Sequence, residues 1–173
     1  MFQTPWYFVL VLCVSMTLGQ AENVYYIRSQ NYPAYTWGYD VKGEAYIMTG
    51  LGQRLFRIIT PGLTEQPGTI SFESYDKPGY FLRHYGSELH LEHSSQPRNS
   101  HIFAQDSTFF VRENKWFPEY AAYESVNYPG SFIRHSSSRL RIDKSDGSDL
   151  FKKDSSFILT TGSDLPQPGI VGK

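Results

Sequence analysis

Residues 70–92, ISFESYDKPGYFLRHYGSELHLE, recur without a gap as residues 121–143, AAYESVNYPGSFIRHSSSRLRID. Glu73 falls on Glu124, Ser74 on Ser125, Pro78-Gly79 on Pro129-Gly130, Phe81 on Phe132 and Arg83-His84 on Arg134-His135. Leu89 and Leu91 fall on Leu140 and Ile142. After a loop of different length each copy closes alike, IFAQDSTFFV at 102–111 and LFKKDSSFIL at 150–159, so Asp106 falls on Asp154 and Phe109 on Phe157. A worn third copy precedes them. VYYIRSQNYPAYTWGYD, 24–40, keeps Ser29, Asn31-Tyr32-Pro33 and Tyr35, and it ends in QRLFRII, 53–59, with Phe56 on the Phe109 position. Three units of about 40 to 50 residues form a fixed-period array, and that constrains architecture before any local reading does.

Each unit offers four short strands, in the middle copy at about 69–75, 79–85, 87–93 and 107–112. These segments are rich in Phe, Tyr, Ile and Leu, and Pro-Gly or Gly-Ser turns separate them. The 13 Tyr, 12 Phe and 3 Trp favour strands, and 14 Gly with 10 Pro supply the turns. A solenoid would need capping repeats and a propeller more than three blades. A β-sandwich gives no reason for a threefold repeat. The expected fold is all-β, a β-trefoil with three repeats of four strands. Its repeats span about 23–63, 68–116 and 120–162, within a domain at 22–163 followed by a flexible tail at 164–173.

The N-terminus reads as a leader. An apolar run from Trp6 to Val14 is followed by Ser15, Thr17, Gly19 and Ala21, the shape of a secretory h-region and cleavage site, although no Lys or Arg precedes it. The run is shorter than the ~20 apolar residues of a membrane span. Residues 1–21 are therefore expected to be a signal peptide, leaving a secreted, extracellular chain with no membrane segment. The only cysteine, Cys13, lies inside that peptide, so no disulfide is expected in the domain. A domain of this size buries enough core to hold without one.

Charge narrows the partners. With 16 Lys+Arg against 17 Asp+Glu the net charge is −1, which gives no electrostatic case for nucleic acid or an anionic membrane. DKSDGSD, 143–149, hints at a calcium loop but has Gly147 and Ser148 where an EF-hand wants an acidic ligand and then Gly. His90, His93 and His101 lie outside the repeat pattern. There is no G-x-S-x-G, no H-E-x-x-H and no glycine-rich phosphate loop. No cofactor or metal is expected.

The repeated motif is F/Y-E-S-x-x-x-P-G-x-F-L/I-R-H followed by D-S-S/T-F. On Phe72-Glu73-Ser74, Val126-Asn127-Tyr128-Pro129-Gly130, the two Arg-His pairs, Asp106-Ser107-Thr108-Phe109 and Asp154-Ser155-Ser156-Phe157, the chain resembles a known family. This is the arabinose-binding domain of fungal and bacterial α-L-arabinofuranosidase B, carbohydrate-binding module family 42. The resemblance is strong over 68–160 and weak over 23–63. It implies a β-trefoil with up to three pockets, one per repeat, each holding a terminal arabinofuranosyl unit. It also implies that His84 with Asp106, and His135 with Asp154, hydrogen-bond the sugar hydroxyls. The residue types suit that task, since a carboxylate accepts from two hydroxyls, an imidazole donates or accepts, and Tyr and Phe supply an apolar wall.

Other roles compete at several positions. Glu73 and Glu124 are further sugar acceptors or groups that orient His84 and His135. Arg83 and Arg134 read as structural cross-links more than as ligand contacts. Asp106 and Asp154 precede a strand, where an Asp often caps a turn. As pocket side chains outside the core, both are expected to be removable without loss of the fold. Repeat one departs in concert: Arg28 replaces the Glu73 residue type, Gly38-Tyr39 the Arg-His pair and Gln53 the Asp. It reads as a structural third without a family-type site, where Trp37, Tyr39 and Tyr46 are free to form a different aromatic surface.

The functional expectation is a secreted, monomeric, non-catalytic carbohydrate-binding module, lectin-like, for arabinofuranosyl or other furanose side chains, with pockets in repeats two and three. Two alternatives stand beside it. One is an arabinofuranosidase-related activity in L-arabinose metabolism, which needs paired carboxylates across one bond and which the resemblance places in a separate catalytic domain preceding the binding domain. The other is an extracellular protein-interaction trefoil that has lost sugar binding, distinguished by whether Tyr side chains plug the pockets.

Overall fold

The computed structural model describes residues 23–162. The expected leader at 1–21 and tail at 164–173 lie outside the described residues. Twelve strands follow one another as β1 (Val24–Ser29), β2 (Thr36–Tyr39), β3 (Ala45–Met48), β4 (Phe56–Ile59), β5 (Thr69–Ser74), β6 (Tyr80–Tyr85), β7 (Glu88–His93), β8 (Phe109–Glu113), β9 (Ala121–Ser125), β10 (Ser131–Ser136), β11 (Arg139–Lys144) and β12 (Phe157–Thr160). Two short helices, α1 (Phe103–Asp106) and α2 (Asp149–Asp154), precede β8 and β12. Apart from these and two single 3-10 turns at Gly50–Gly52 and Ser100–Ile102, the regular structure of the described residues is all strand, and among them no helix is long and apolar enough to cross a membrane.

All pairings are antiparallel. β1 pairs with β4, β4 with β5, β5 with β8, β8 with β9, β9 with β12 and β12 with β1, so six strands meet in a ring. The other six form hairpins β2–β3, β6–β7 and β10–β11. Each hairpin is fed from the ring at an equivalent register: Arg28 opposite Thr36, Glu73 opposite Phe81 and Glu124 opposite Phe132. The hairpins also touch one another, through Arg139 opposite Tyr46 and Arg141 opposite Glu88. Closing the ring leaves no exposed sheet edge there.

The alternation of buried and half-buried residues along the strands sends one face of every strand into a shared core. Ile27, Phe72 and Tyr123 enter from β1, β5 and β9, and Phe56, Phe109 and Phe157 from the closing strands. Trp37 is fully buried among them, its ring 4.9 Å from Phe72, 5.0 Å from Phe157 and 5.8 Å from Tyr123. It therefore belongs to the core and forms no surface in repeat one. Leu82 and Ile133 fill its position in the other repeats, so the worn copy compensates with one large aromatic.

The repeated E-S-x-x-x-P-G has a structural explanation. Gly79 and Gly130 both sit at φ 82°, where a side chain is strained. The Glu73 carboxylate accepts from the Gly79 N–H at 2.7 Å, and Glu124 does the same for Gly130 at 2.7 Å. Each glutamate also pairs outward with an arginine, Arg57 at 2.8 Å and Arg112 at 2.7 Å. The glutamates thus clamp the turn that leads into the hairpin.

Candidate functional site

The Arg-His pairs lie on the second strand of their repeats, where alternate residues face opposite ways. His84 and His135 are nearly fully buried, beside side chains at the end of and just after the first strand of the following repeat, β9 for His84 and β1 for His135. His84 Nε2 lies 3.0 Å from Asn127 Oδ1 and 3.3 Å from Ser125 Oγ. Asn127 Nδ2 donates to Asp106 Oδ1 at 2.7 Å. Asp106 ends helix α1, and its other oxygen accepts from Arg83, whose side chain has no exposure.

The third repeat reproduces this set with partners from the first. His135 Nε2 lies 2.9 Å from Asn31 Oδ1 and 3.3 Å from Ser29 Oγ. Asn31 Nδ2 donates to Asp154 Oδ1 at 2.8 Å, and Arg134 donates to Asp154 Oδ2 at 2.7 Å. The Ser29 hydroxyl donates to Asn31 at 3.0 Å, as Ser125 donates to Asn127 at 2.8 Å. A tyrosine stands edge-on to each imidazole, Tyr128 at 5.2 Å from His84 and Tyr32 at 5.3 Å from His135. Both tyrosines are about half exposed, 53% and 50%.

The network orients itself. An ionised carboxylate only accepts, so each Asp turns the Asn NH2 toward itself and leaves the Asn oxygen for the imidazole. Nε2 of each His therefore carries the proton. Burial pushes both histidines below their ordinary pKa, against the pull of Asp106 and Asp154, so the imidazoles are neutral near pH 7. Each Asp oxygen has accepted one hydrogen bond and keeps a second lone pair for a ligand.

Over each set lies a cavity. In repeat two it measures about 380 Å³ and is lined by His84, Asp106, Arg83, Tyr85 and Tyr128, among others. In repeat three it measures about 320 Å³, lined by His135, Asp154, Arg134, Tyr32 and Tyr35, among others. A wider hollow of about 610 Å³ opens beside Tyr123, Phe157 and Leu159 on the ring, with Glu113 and Glu119 among its otherwise largely apolar lining. Among the described residues no three His, Cys, Asp or Glu side chains gather as a metal site.

The structure brings together four of the six expected site residues, in two pairs: His84 with Asp106 (3.5 Å) and His135 with Asp154 (3.5 Å). Glu73 and Glu124 correct the expectation. They line neither cavity, and their carboxylates are used by the Gly79 and Gly130 turns and by Arg57 and Arg112. The turn-capping reading of Asp106 and Asp154 also gives way, because each carboxylate bonds an Asn and an Arg far away in sequence. Nor are these aspartates peripheral to the fold, since Asp106 and Asp154 are both buried.

Sequence reasoning missed Ser125, Asn127 and Tyr128 as partners of His84, and Ser29, Asn31 and Tyr32 as partners of His135. The signal was the S-x-N-Y-P string shared by 29–33 and 125–129. Repeat one supplies this half of a site although it lacks the other half. At its own junction with repeat two, Tyr39 takes the His position, and its hydroxyl bonds Ser74 Oγ at 2.7 Å and Asp76. Burial and the Asp76 bond raise Tyr39 to about 12. Arg54 and Lys77 lie over its ring at 5.5 and 5.0 Å. Gln53 turns away, its amide 3.4 Å from the Ala34 carbonyl. The hydroxyl, serine and aspartate here satisfy one another.

Residues 40–159 match the alpha-L-arabinofuranosidase B (ABFB) domain family. The otogelin-like protein of Mus musculus is 36% identical over 107 residues, covering 59% of this chain and 4% of that protein. A probable alpha-L-arabinofuranosidase B of Aspergillus clavatus is 32% identical over 93 residues, 54% of this chain and 17% of that protein. The chain thus spans a small fraction of these relatives. Among solved structures, an arabinofuranosidase complexed with arabinofuranosyl-alpha-1,2-xylobiose superposes with a TM-score of 0.67 at 23% identity, over 82% of this chain and 31% of that one. SeviL bound to asialo-GM1 saccharide superposes with a TM-score of 0.59 at 12% identity, over 82% of this chain and 99% of that one. At these identities the two structures speak to the fold.

Proposed function

The chain belongs to the alpha-L-arabinofuranosidase B domain family, and from that premise we propose that it is a secreted, non-catalytic carbohydrate-binding protein. In this reading it is a β-trefoil, its six-stranded ring and three hairpins arranged about a pseudo-threefold axis. It holds terminal arabinofuranosyl units, or furanose units of similar shape, in two pockets. The observation that carries the proposal is the duplicated Ser–Asn–His–Asp set, built twice with the same bonds and each time beneath an open cavity.

The chemistry fits a furanose. Each Asp presents charged acceptor sites to ring hydroxyls, and charge-assisted hydrogen bonds are the stronger kind. The arginine behind it holds the carboxylate in place. Tyr128 and Tyr32 offer rings to the apolar face of the sugar and remain half exposed, with open space beside them. That supports sugar binding over an interaction trefoil with plugged pockets.

Catalysis fits poorly. Glycoside hydrolysis uses two carboxylates on either side of one bond, about 5–9.5 Å apart. Each of the two proposed sugar pockets is lined by a single one, Asp106 or Asp154. Each carboxylate is also engaged by an arginine and an asparagine.

A glycan array followed by calorimetry on a monovalent arabinofuranoside tests the proposal, with two sites per chain expected. Stoichiometric binding of no furanose would overturn it. Release of p-nitrophenol from p-nitrophenyl arabinofuranoside above a heat-killed control would overturn its non-catalytic part. Export is tested by sequencing the N-terminus of secreted protein, expected near residues 21–23.

A further inference from the structure

We propose that the two pockets differ in reach. The pocket of repeat two takes a terminal furanose unit alone, whereas that of repeat three takes the unit together with the saccharide that carries it. This rests on the sugar reading of both sites and adds to it a difference the shared motif does not contain.

The floors of the pockets are the same, and the walls are not. In repeat two the residue after His84 is Tyr85, and two guanidinium groups lie over its ring, Arg83 at 5.3 Å and Arg98 at 4.2 Å. Both arginines are tied to Glu92, and Arg83 also donates to the Arg98 carbonyl. Stacking of this kind stabilises a fixed ring. The chain between β7 and α1 then contributes Asn99 and Ile102 to the same rim. The pocket shares no lining residue with the other cavities described above.

In repeat three the residues after His135 are Ser136, Ser137 and Ser138, and the connection from β11 to α2 is shorter. Serine hydroxyls thus take the place of the Tyr85 ring, and the rings of this pocket, Tyr32 and Tyr35, come from repeat one. Ser137 and Ser138 are exposed and carry short side chains. The Ser138 carbonyl accepts from the Ile47 N–H at 2.8 Å, and these two residues also line a neighbouring hollow of about 520 Å³. That hollow adds Tyr46, Met48, Thr49 and Asp40. Hydroxyls that rotate to donate or accept, beside apolar Ile47 and Met48, match the mixed polar and apolar surface of a second and third sugar ring.

The test uses methyl α-L-arabinofuranoside and arabinofuranosyl-α-1,2-xylobiose as calorimetric probes on the full chain. Asp106→Ala leaves the repeat-three pocket and Asp154→Ala the repeat-two pocket. Tyr128→Ala and Tyr32→Ala weaken the same pockets without touching a buried ion pair, and they decide the matter if an aspartate variant fails to fold. With repeat three intact, the trisaccharide is expected to bind at least tenfold tighter than the monosaccharide. With repeat two intact, the two probes are expected to agree within twofold. Thr49→Trp should remove the tenfold gain by filling the hollow. Equal affinities for both probes in every variant would overturn the inference and leave the sugar reading standing, as would a gain confined to repeat two. Failure of a folded parent chain to bind either probe would overturn both.

Discussion

Asn31 and His135 stand 104 positions apart in the chain and 2.9 Å apart in the fold. His84 and Asn127 are joined in the same way. Each polar set is therefore completed across a junction between consecutive repeats, and in repeat three that junction joins the first repeat to the last, where β1 also pairs with β12. A side-chain amide can accept from an imidazole and donate to a carboxylate at once.

Asn31→Ala should accordingly empty the repeat-three pocket although repeat one has no site of its own. Calorimetry on a monovalent furanoside should show the stoichiometry fall from two to one. Asn31→Asp should not rescue it, because a second carboxylate beside Asp154 cannot donate and repels it. Asn31→Asp keeping full affinity, or Asn31→Ala leaving two sites, would break the link.

The two aspartates should differ in what they cost the fold. The Arg83 side chain has no exposure, whereas that of Arg134 is 16% exposed. Removing Asp106 strands a guanidinium that keeps only Glu92 as a charged partner, and breaking a buried pair costs on the order of 3 kcal/mol. Removing Asp154 leaves Arg134 within reach of water, at a cost of about 1 kcal/mol. Urea unfolding of Asp106→Ala and Asp154→Ala measures the difference, and equal losses would contradict it.

The repeat made the architecture legible because core and turn positions recur at fixed spacing: Phe56, Phe109 and Phe157 in the ring, Gly79 and Gly130 at the turns. It also exposed His84, Asp106, His135 and Asp154, since the same polar residues survived in both strong copies. The partners were harder to see. Asn31 and Asn127 pair with histidines of the preceding repeat, and a comparison of copies aligns equivalent positions without showing which ones touch. Helices α1 and α2 are too short to carry a period. Glu73 and Glu124 looked like site residues because turn clamps recur as faithfully as ligands do.

Those glutamates give a further expectation. Glu73→Ala and Glu124→Ala remove the acceptor for Gly79 N–H or Gly130 N–H, along with a partly exposed ion pair to Arg57 or Arg112. Each should lower stability by about 1–2 kcal/mol and leave two sugar sites at parental affinity. Loss of one site in either variant, with the hairpin intact, would return the glutamate to the pocket.

The last expectation concerns pH. His84 and His135 are held below their ordinary pKa by burial, so the folded protein resists a proton that the unfolded chain takes up. Asp106 and Asp154 pull the other way, and Arg83 and Arg134 add to the burial effect. A depressed histidine supports the fold above the unfolded value of about 6.5, and that support is lost as pH falls through the folded value. Unfolding free energy should thus be flat near pH 7–8 and decline below about 6.5. The slope from two histidines approaches about 2.7 kcal/mol per pH unit at most. His90, lowered by burial and by Arg139, contributes in the same sense. Replacing both pocket histidines, His84→Gln with His135→Gln, keeps an N–H for each Asn oxygen and should remove most of the decline between pH 6.5 and 5. Chemical denaturation across that range decides it: an unchanged slope in the double variant, or a parent that gains stability on acidification, would show that the imidazoles are not held neutral by the fold.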